Sequence, residues 1–275
     1  MNTLRVIWIA FLIMPMSIAC EKAHAYDIEV EIADGLTLYF NYINNRQDLE
    51  VSGARFLKSY SWGFAIPKEI NTPNGQLKVT SIGQNAFYSC KKMNSIVIPN
   101  SVIIIKDNAF ADCSELNYLA IGDSVTTIGQ RAFWGCENLT SVTIPNSVTT
   151  IGNYAFYNCK NLNSITIGNA VNNIGEDAFE GTPWLSTKPD GLIYAGSVAY
   201  KYKGNMPANT KITIKDGTLV IADYLFKGLM GLTSVTMPNS VRYIGREAFS
   251  CTSLTSVTIP DSVHSIGDYA FYGCI

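Results

Sequence analysis

From Leu77 onward apolar residues return at a fixed interval. Ile82, Ile105, Ile128, Ile151 and Ile174 stand 23 residues apart, and the register resumes at Ile221 and Ile244 before reaching Ile266 after 22. Each Ile heads the same phrase. A Gly usually follows it, and four and five residues on comes a pair: Ala86-Phe87, Ala109-Phe110, Ala132-Phe133, Ala155-Phe156, Ala178-Phe179, Leu225-Phe226, Ala248-Phe249 and Ala270-Phe271. Three residues after Phe there is often a Cys. The other half of the unit reads Leu139-Thr140-Ser141-Val142-Thr143-Ile144-Pro145, and the phrase recurs at Leu232 to Pro238 and Leu254 to Pro260. Leu, Val and Ile at alternate positions follow the strand period of two, with Pro closing the strand where pairing must stop. Ser and Thr fall on the opposite face. A coil this short cannot bury its own apolar side, so neighbouring coils must stack and share one core. Parallel strands about 4.8 Å apart then place Phe87, Phe110, Phe133, Phe156 and Phe179 in one interior column.

The phrase Leu-Thr-Ser-Val-Thr-Ile-Pro-Asn-Ser-Val-Thr-x-Ile-Gly-x-x-Ala-Phe-x-x-Cys resembles the BspA-type leucine-rich repeat of bacterial surface proteins, over roughly Leu77 to Cys274. The resemblance implies a β-rich repeat solenoid, right-handed, with parallel strands on one arc and short helical or extended turns on the other. For function it implies surface adhesion or host interaction, although repeats of this kind are scaffolds that carry many different binding faces.

Two regions break the period. Ile174 and Ile221 lie 47 residues apart, so one coil carries an insertion of about 24 residues, near 186–209. Within it Leu192-Ile193-Tyr194 and Val198-Ala199-Tyr200-Lys201-Tyr202 alternate around Ala195-Gly196-Ser197, a β-hairpin pattern. Tyr194, Tyr200 and Tyr202 are candidate ligand contacts on its exposed side; the competing reading is a structural bulge, with Trp184 packed over the core. Residues 26–75 also alternate as hairpins, at Leu36 to Tyr42 and Leu49 to Val51, as an N-terminal β cap hiding the first coil requires. The domain plan is therefore 1–25 export signal, 26–75 cap and 76–275 solenoid. The last full strand, Leu254 to Ile259, is expected to have an unpaired edge, which makes self-association there a candidate.

The apolar run from Val6 to about Ile18, after Arg5 and before Ala23-His24-Ala25, has the form of a cleaved secretion signal. Lipidation at Cys20 is a second reading, since Ala19-Cys20 ends the apolar core, with Ser17 where such signals usually carry Leu, Val or Ile. A retained helix is a third. All three place the mature chain outside the cytoplasm, secreted or held at the cell surface or outer membrane, with membrane attachment only through a lipid anchor.

Composition narrows the partners. With 47% hydrophobic residues, the chain lacks the signature of disorder. Its 20 basic residues are balanced by 22 acidic ones, which excludes electrostatic capture of nucleic acid. No catalytic constellation emerges. His264 is the one His outside the signal, adjacent acids such as Glu176-Asp177 point apart, and each Ile-Gly belongs to a coil corner. No cofactor or metal site is expected. Cys90, Cys113, Cys136, Cys159 and Cys274 share one repeat position, where other coils carry Thr182, Leu229 and Thr252; the position reads as a small core slot filled by buried free thiols, with at least one disulfide as the competing reading.

What remains is the outward strand face. One row is Ser95, Tyr118, Ser141, Ser164, Ser234 and Ser256; the next holds Thr143, Thr166, Thr236 and Thr258, with Val97 and Ala120. This hydroxyl-rich face is the candidate surface for a protein or glycan, with Tyr118 as its hot spot. The expectation is an exported, non-enzymatic binding scaffold; the alternative is a self-assembling envelope module.

Overall fold

The computed structural model describes residues 26–33, 35–56 and 62–274. The candidate signal and Cys20 lie outside the described residues. Two compact units are present: one runs to Thr166 and includes Asp177–Ser186, and the other comprises Ile167–Glu176 and the chain from Thr187 onward.

The first unit opens with β1 (Ile28–Ala33), β2 (Leu36–Ile43) and β3 (Asp48–Phe56), an antiparallel meander in which Val30 faces Leu38 and Leu38 faces Ala54. Val30, Leu38, Phe40, Leu49 and Val51 are fully buried in it. After β4 (Trp62–Ala65) and β5 (Glu69–Thr72) comes β6 (Gly75–Ile82), which runs parallel to β3 with Leu49 opposite Val79. At β3 the antiparallel cap thus becomes the first rung of a parallel stack. Each further coil adds a strand on one side and a two-residue rung on the other. The strands are β7 (Met93–Val97), β9 (Tyr118–Ala120), β11 (Ser141–Ile144) and β13 (Ser164–Ile167), and the rungs are β8 (Ile104–Ile105), β10 (Thr127–Ile128) and β12 (Thr150–Ile151). The rungs are parallel and in register, with Ile82, Ile105, Ile128 and Ile151 aligned.

The arc joining strands to rungs is made of turns rather than helices. Residues two before and two after each Phe have positive φ: Asn85 (59°) and Ser89 (60°) around Phe87, Arg131 (53°) and Gly135 (70°) around Phe133, Tyr154 (58°) and Asn158 (56°) around Phe156. These reversals split the amides into two sets. Those of Asn85, Phe87 and Ser89 donate to the carbonyls of Asp107, Ala109 and Ala111 in the next coil at 3.1, 2.7 and 2.7 Å, while those of Ala86, Tyr88 and Cys90 close turns within their own coil. These six amides are thereby paired, as buried amides must be. The Gly that follows Ile in most coils reflects the same stacking, because a Cβ on Gly152 would lie 2.6 Å from the Gln130 backbone N, although Lys106 and Ala222 hold the position in two coils.

The Phe rings form the expected interior column. Their centroids are 5.0 Å apart for Phe87–Phe110, 5.2 Å for Phe110–Phe133, 5.1 Å for Phe133–Phe156 and 5.8 Å for Phe156–Phe179, all stacked and all fully buried. Trp184, on the single helical turn α1 (Pro183–Ser186), sets its ring edge-on to Phe179 at 5.1 Å.

The second unit contains β14 (Asn173–Ile174) and then repeats the opening device. The hairpin β15 (Gly191–Ala195) and β16 (Val198–Lys203) is antiparallel, and β16 passes into a parallel stack through β18 (Val220–Ile221), β20 (Tyr243–Ile244) and β21 (Ser265–Ile266). On its other side β17 (Thr210–Thr213) pairs with β19 (Leu232–Thr236). Phe226, Phe249 and Phe271 form a stacked column within this unit, at 5.3 and 5.2 Å. One expectation fails here. Leu254 to Ile259 is not a strand, and β19 is the last strand of that sheet among the described residues.

Candidate binding surface

The outward strand face of the first unit begins earlier than the repeat phrase suggests. β4, β7 and β9 form one parallel sheet in which Gly63, Ser95 and Tyr118 share one row and Ala65, Val97 and Ala120 the next. Side chains in a row point to the same face. Gly63 is required where it stands: a Cβ there would lie 1.6 Å from Ser95 Oγ. Ser95 is accordingly half-buried, so this member of the candidate row is less accessible than expected. Tyr118 is 57% exposed and Val97 39% exposed. The tyrosine stands above a floor of Gly, Ala and Ser. Beyond it Ser141, Thr143, Ser164 and Thr166 are exposed on β11 and β13, as an outward face requires.

In the second unit Thr236 is exposed and Ser234 is half-buried on β19, while Ser256 and Thr258 are exposed but lie on the non-strand segment and form no rung of a sheet.

The hairpin tyrosines serve the core. Tyr200 is 6% exposed, which corrects its assignment as a ligand contact: it faces inward because β16 is a rung of the stack rather than a projecting ribbon. Tyr202 tilts over Phe226 with centroids 6.4 Å apart, Tyr194 accepts a hydrogen bond from the Lys215 amide at 2.9 Å, and both pack against the buried cluster around Phe226. The hairpin holds the end of the second Phe column as Trp184 holds that of the first.

The cysteine slot has a chemical reason that the repeat pattern did not reveal. Cys113, Cys136 and Cys159 donate their S–H to the carbonyls of Phe87, Phe110 and Phe133 in the preceding coil, at 3.1 to 3.3 Å. Thr182 and Thr252 in the same slot donate to the Phe carbonyl of their own coil, at 2.7 and 2.9 Å. In these five coils the slot supplies a small donor; Leu229 fills it with an apolar side chain instead. Burial pushes the Cys159 thiol up to about 12 and raises Cys113 and Cys136 in the same direction, so none is a reactive thiolate. Cys113, Cys136, Cys159, Cys251 and Cys274 are free, whereas Cys90 is disulfide-bonded, a departure from the uniform column of free thiols. Among the described residues no group of His, Cys, Asp or Glu could hold a metal ion.

A model of the BspA type leucine-rich repeat region matches the chain over residues 80–205 and 196–275. The chain belongs to the BspA-type leucine-rich repeat family. Among solved structures, this family member is similar to the T. pallidum leucine-rich repeat protein, at 22% identity and a TM-score of 0.51 over 86% of each chain. Two further structures are a leucine-rich cell surface protein from Faecalibacterium prausnitzii, at 25% identity and TM-score 0.40 over 92% of this chain and 53% of that one, and the pneumococcal vaccine antigen PcpA, at 19% and 0.46 over 88% and 72%. The first supports the fold: a β-solenoid of parallel strands with little helix. A search of curated proteins gave no match.

Proposed function

We propose that this BspA-type repeat protein is an exported, non-enzymatic binding scaffold that engages a macromolecular partner through the outward strand face of its first unit, in an adhesive or host-interaction role at the cell surface. The observation that carries the reading is Tyr118, an aromatic 57% exposed on β9, an outer strand of a three-stranded parallel sheet, with Val97 exposed one row away on β7. Large rigid aromatics surrounded by small residues are where binding energy concentrates. A flat face of backbone-locked strands orders little on association, which limits the entropic cost. Membership of a family of repeat scaffolds supports the absence of catalysis in this reading. An array of glycans and extracellular matrix proteins, probed with wild type and Tyr118→Ser, tests it. The expected result is a ligand retained by wild type and weakened about tenfold or more by the substitution; a blank array, or a ligand held equally by both proteins, overturns it.

A further inference from the structure

The turn arc of the first unit supplies an internal comparison. Two positions before Phe the backbone is left-handed in every coil, a conformation that Asn tolerates far better than bulky side chains. Coils with Phe87 and Phe110 carry Asn85 and Asn108 there; the next two carry Arg131 and Tyr154, at φ 53° and 58°. One position after Phe, Ala111 suffices in one coil, yet the following two carry Trp134 and Tyr157. Packing therefore requires none of these four large side chains. Residues held against local preference cluster at functional sites.

The four are neighbours. The amides of Phe133 and Gly135 donate to the carbonyls of Ala155 and Tyr157 at 2.8 and 2.9 Å, which sets Trp134 beside Tyr157 and Arg131 beside Tyr154 in adjacent coils. The Arg131 guanidinium lies over the Tyr154 ring at 5.5 Å, and Tyr154 meets Tyr157 edge-on at 5.7 Å and 75°. Arg131 is exposed and the three aromatics are half-buried, so ring surface reaches solvent. The two-tyrosine arrangement recurs within the second unit at Tyr269–Tyr272, 5.9 Å apart at 89°.

We propose that Arg131, Trp134, Tyr154 and Tyr157 form a second binding surface, on the turn arc, for a neutral pyranose oligosaccharide. Electron-rich ring faces attract the polarised C–H groups of a pyranose, and a guanidinium held over a ring presents donors to its hydroxyls. The charges select against a polyanion: Lys160 is paired with Glu137 at 2.6 Å, and the same two columns continue into the acids Asp177 and Glu180 one coil on. A neutral, hydroxyl-rich ligand meets no such repulsion and finds acceptors there.

Native gels cast with a mannan, a mixed-linkage glucan or an arabinoxylan, and with dextran sulfate as the polyanion, test the proposal by the retardation of the whole protein. Trp134→Ala, Tyr157→Ala and Tyr154→Asn each install a residue that the chain's own coils carry at the same position, so the fold is kept, as an unchanged thermal midpoint verifies. The expected result is retardation in at least one neutral gel, weakened about tenfold or more by each variant and unaffected by Tyr118→Ser. No retardation in any neutral gel, retardation by dextran sulfate alone, or retardation that survives Trp134→Ala and Tyr157→Ala overturns it. Loss with Tyr118→Ser alone also overturns it and moves the saccharide to the strand face. The strand-face reading is separable, since its ligand is lost with Tyr118→Ser and not with the arc variants.

Discussion

Two columns in the first unit share one period and obey opposite rules. The interior column repeats Phe five times, from Phe87 to Phe179, while the outward row over the same coils reads Ser95, Tyr118, Ser141 and Ser164. Each interior ring is stacked on its neighbours, so a change in one coil is felt in the next. An outward side chain has solvent above it. Repetition in the sequence therefore reports shared burial, and its interruption in an exposed row is where information about a ligand can reside.

The largest effect expected from breaking this comparison is in the middle of the column. Phe133 stacks on Phe110 and Phe156 and is fully buried. Phe133→Ala removes both contacts and leaves a cavity, costing about 3–5 kcal/mol, read as a drop in the chemical denaturation midpoint. Gly152→Ala comes next. Its new Cβ meets backbone at 2.6 Å, which no rotamer change relieves, and overpacking of this kind costs about 1–3 kcal/mol.

The thiol column gives a pH-dependent effect of smaller size. A buried thiol whose proton is held more tightly in the folded state stabilises the fold fully below the unfolded value, near 9, and loses that contribution as pH rises toward the folded value of about 12 for Cys159. Between these limits each such thiol lowers stability by about 1.4 kcal/mol per pH unit. Cys136→Thr, which keeps a small hydroxyl donor in the slot, should shed one thiol's share. The comparison is the slope of stability between pH 9 and 10.5 in the two proteins; equal slopes would show that Cys136 does not contribute.

What was legible in the sequence divides along the same line. Ile, Ala-Phe and Leu-x-x-Val-x-Ile recur because side-chain burial selects them, and they place both the Phe column and the rungs correctly. The left-handed residues of the turn arc are less visible, since Asn85, Arg131 and Tyr154 share a backbone conformation but no side-chain chemistry. The start of the strand face at Gly63 was hidden for a related reason: β4 joins the sheet through backbone pairing with β7, outside the repeat phrase. Tyr200 misled because alternation identifies a strand but not which side its neighbours cover. Leu254 to Ile259 has the strand phrase and no strand, since pairing needs partners that no local pattern encodes.

The smallest effect on stability is expected where the effect on binding is largest. Tyr118 is an aromatic on the same coil as Phe110, but it stands on the outward side of β9, and Ser95 and Ser141 show that its row is built with Ser in adjacent coils. Tyr118→Ser should leave the denaturation midpoint within about 0.5 kcal/mol of wild type, as surface substitutions do, because it uncovers no core and unpairs no buried group. A loss above 1 kcal/mol would mean that the ring packs on Val97 and Ala120 as a lid. In that case its exposure reflects a structural role, and the contrast between the two columns loses its functional half.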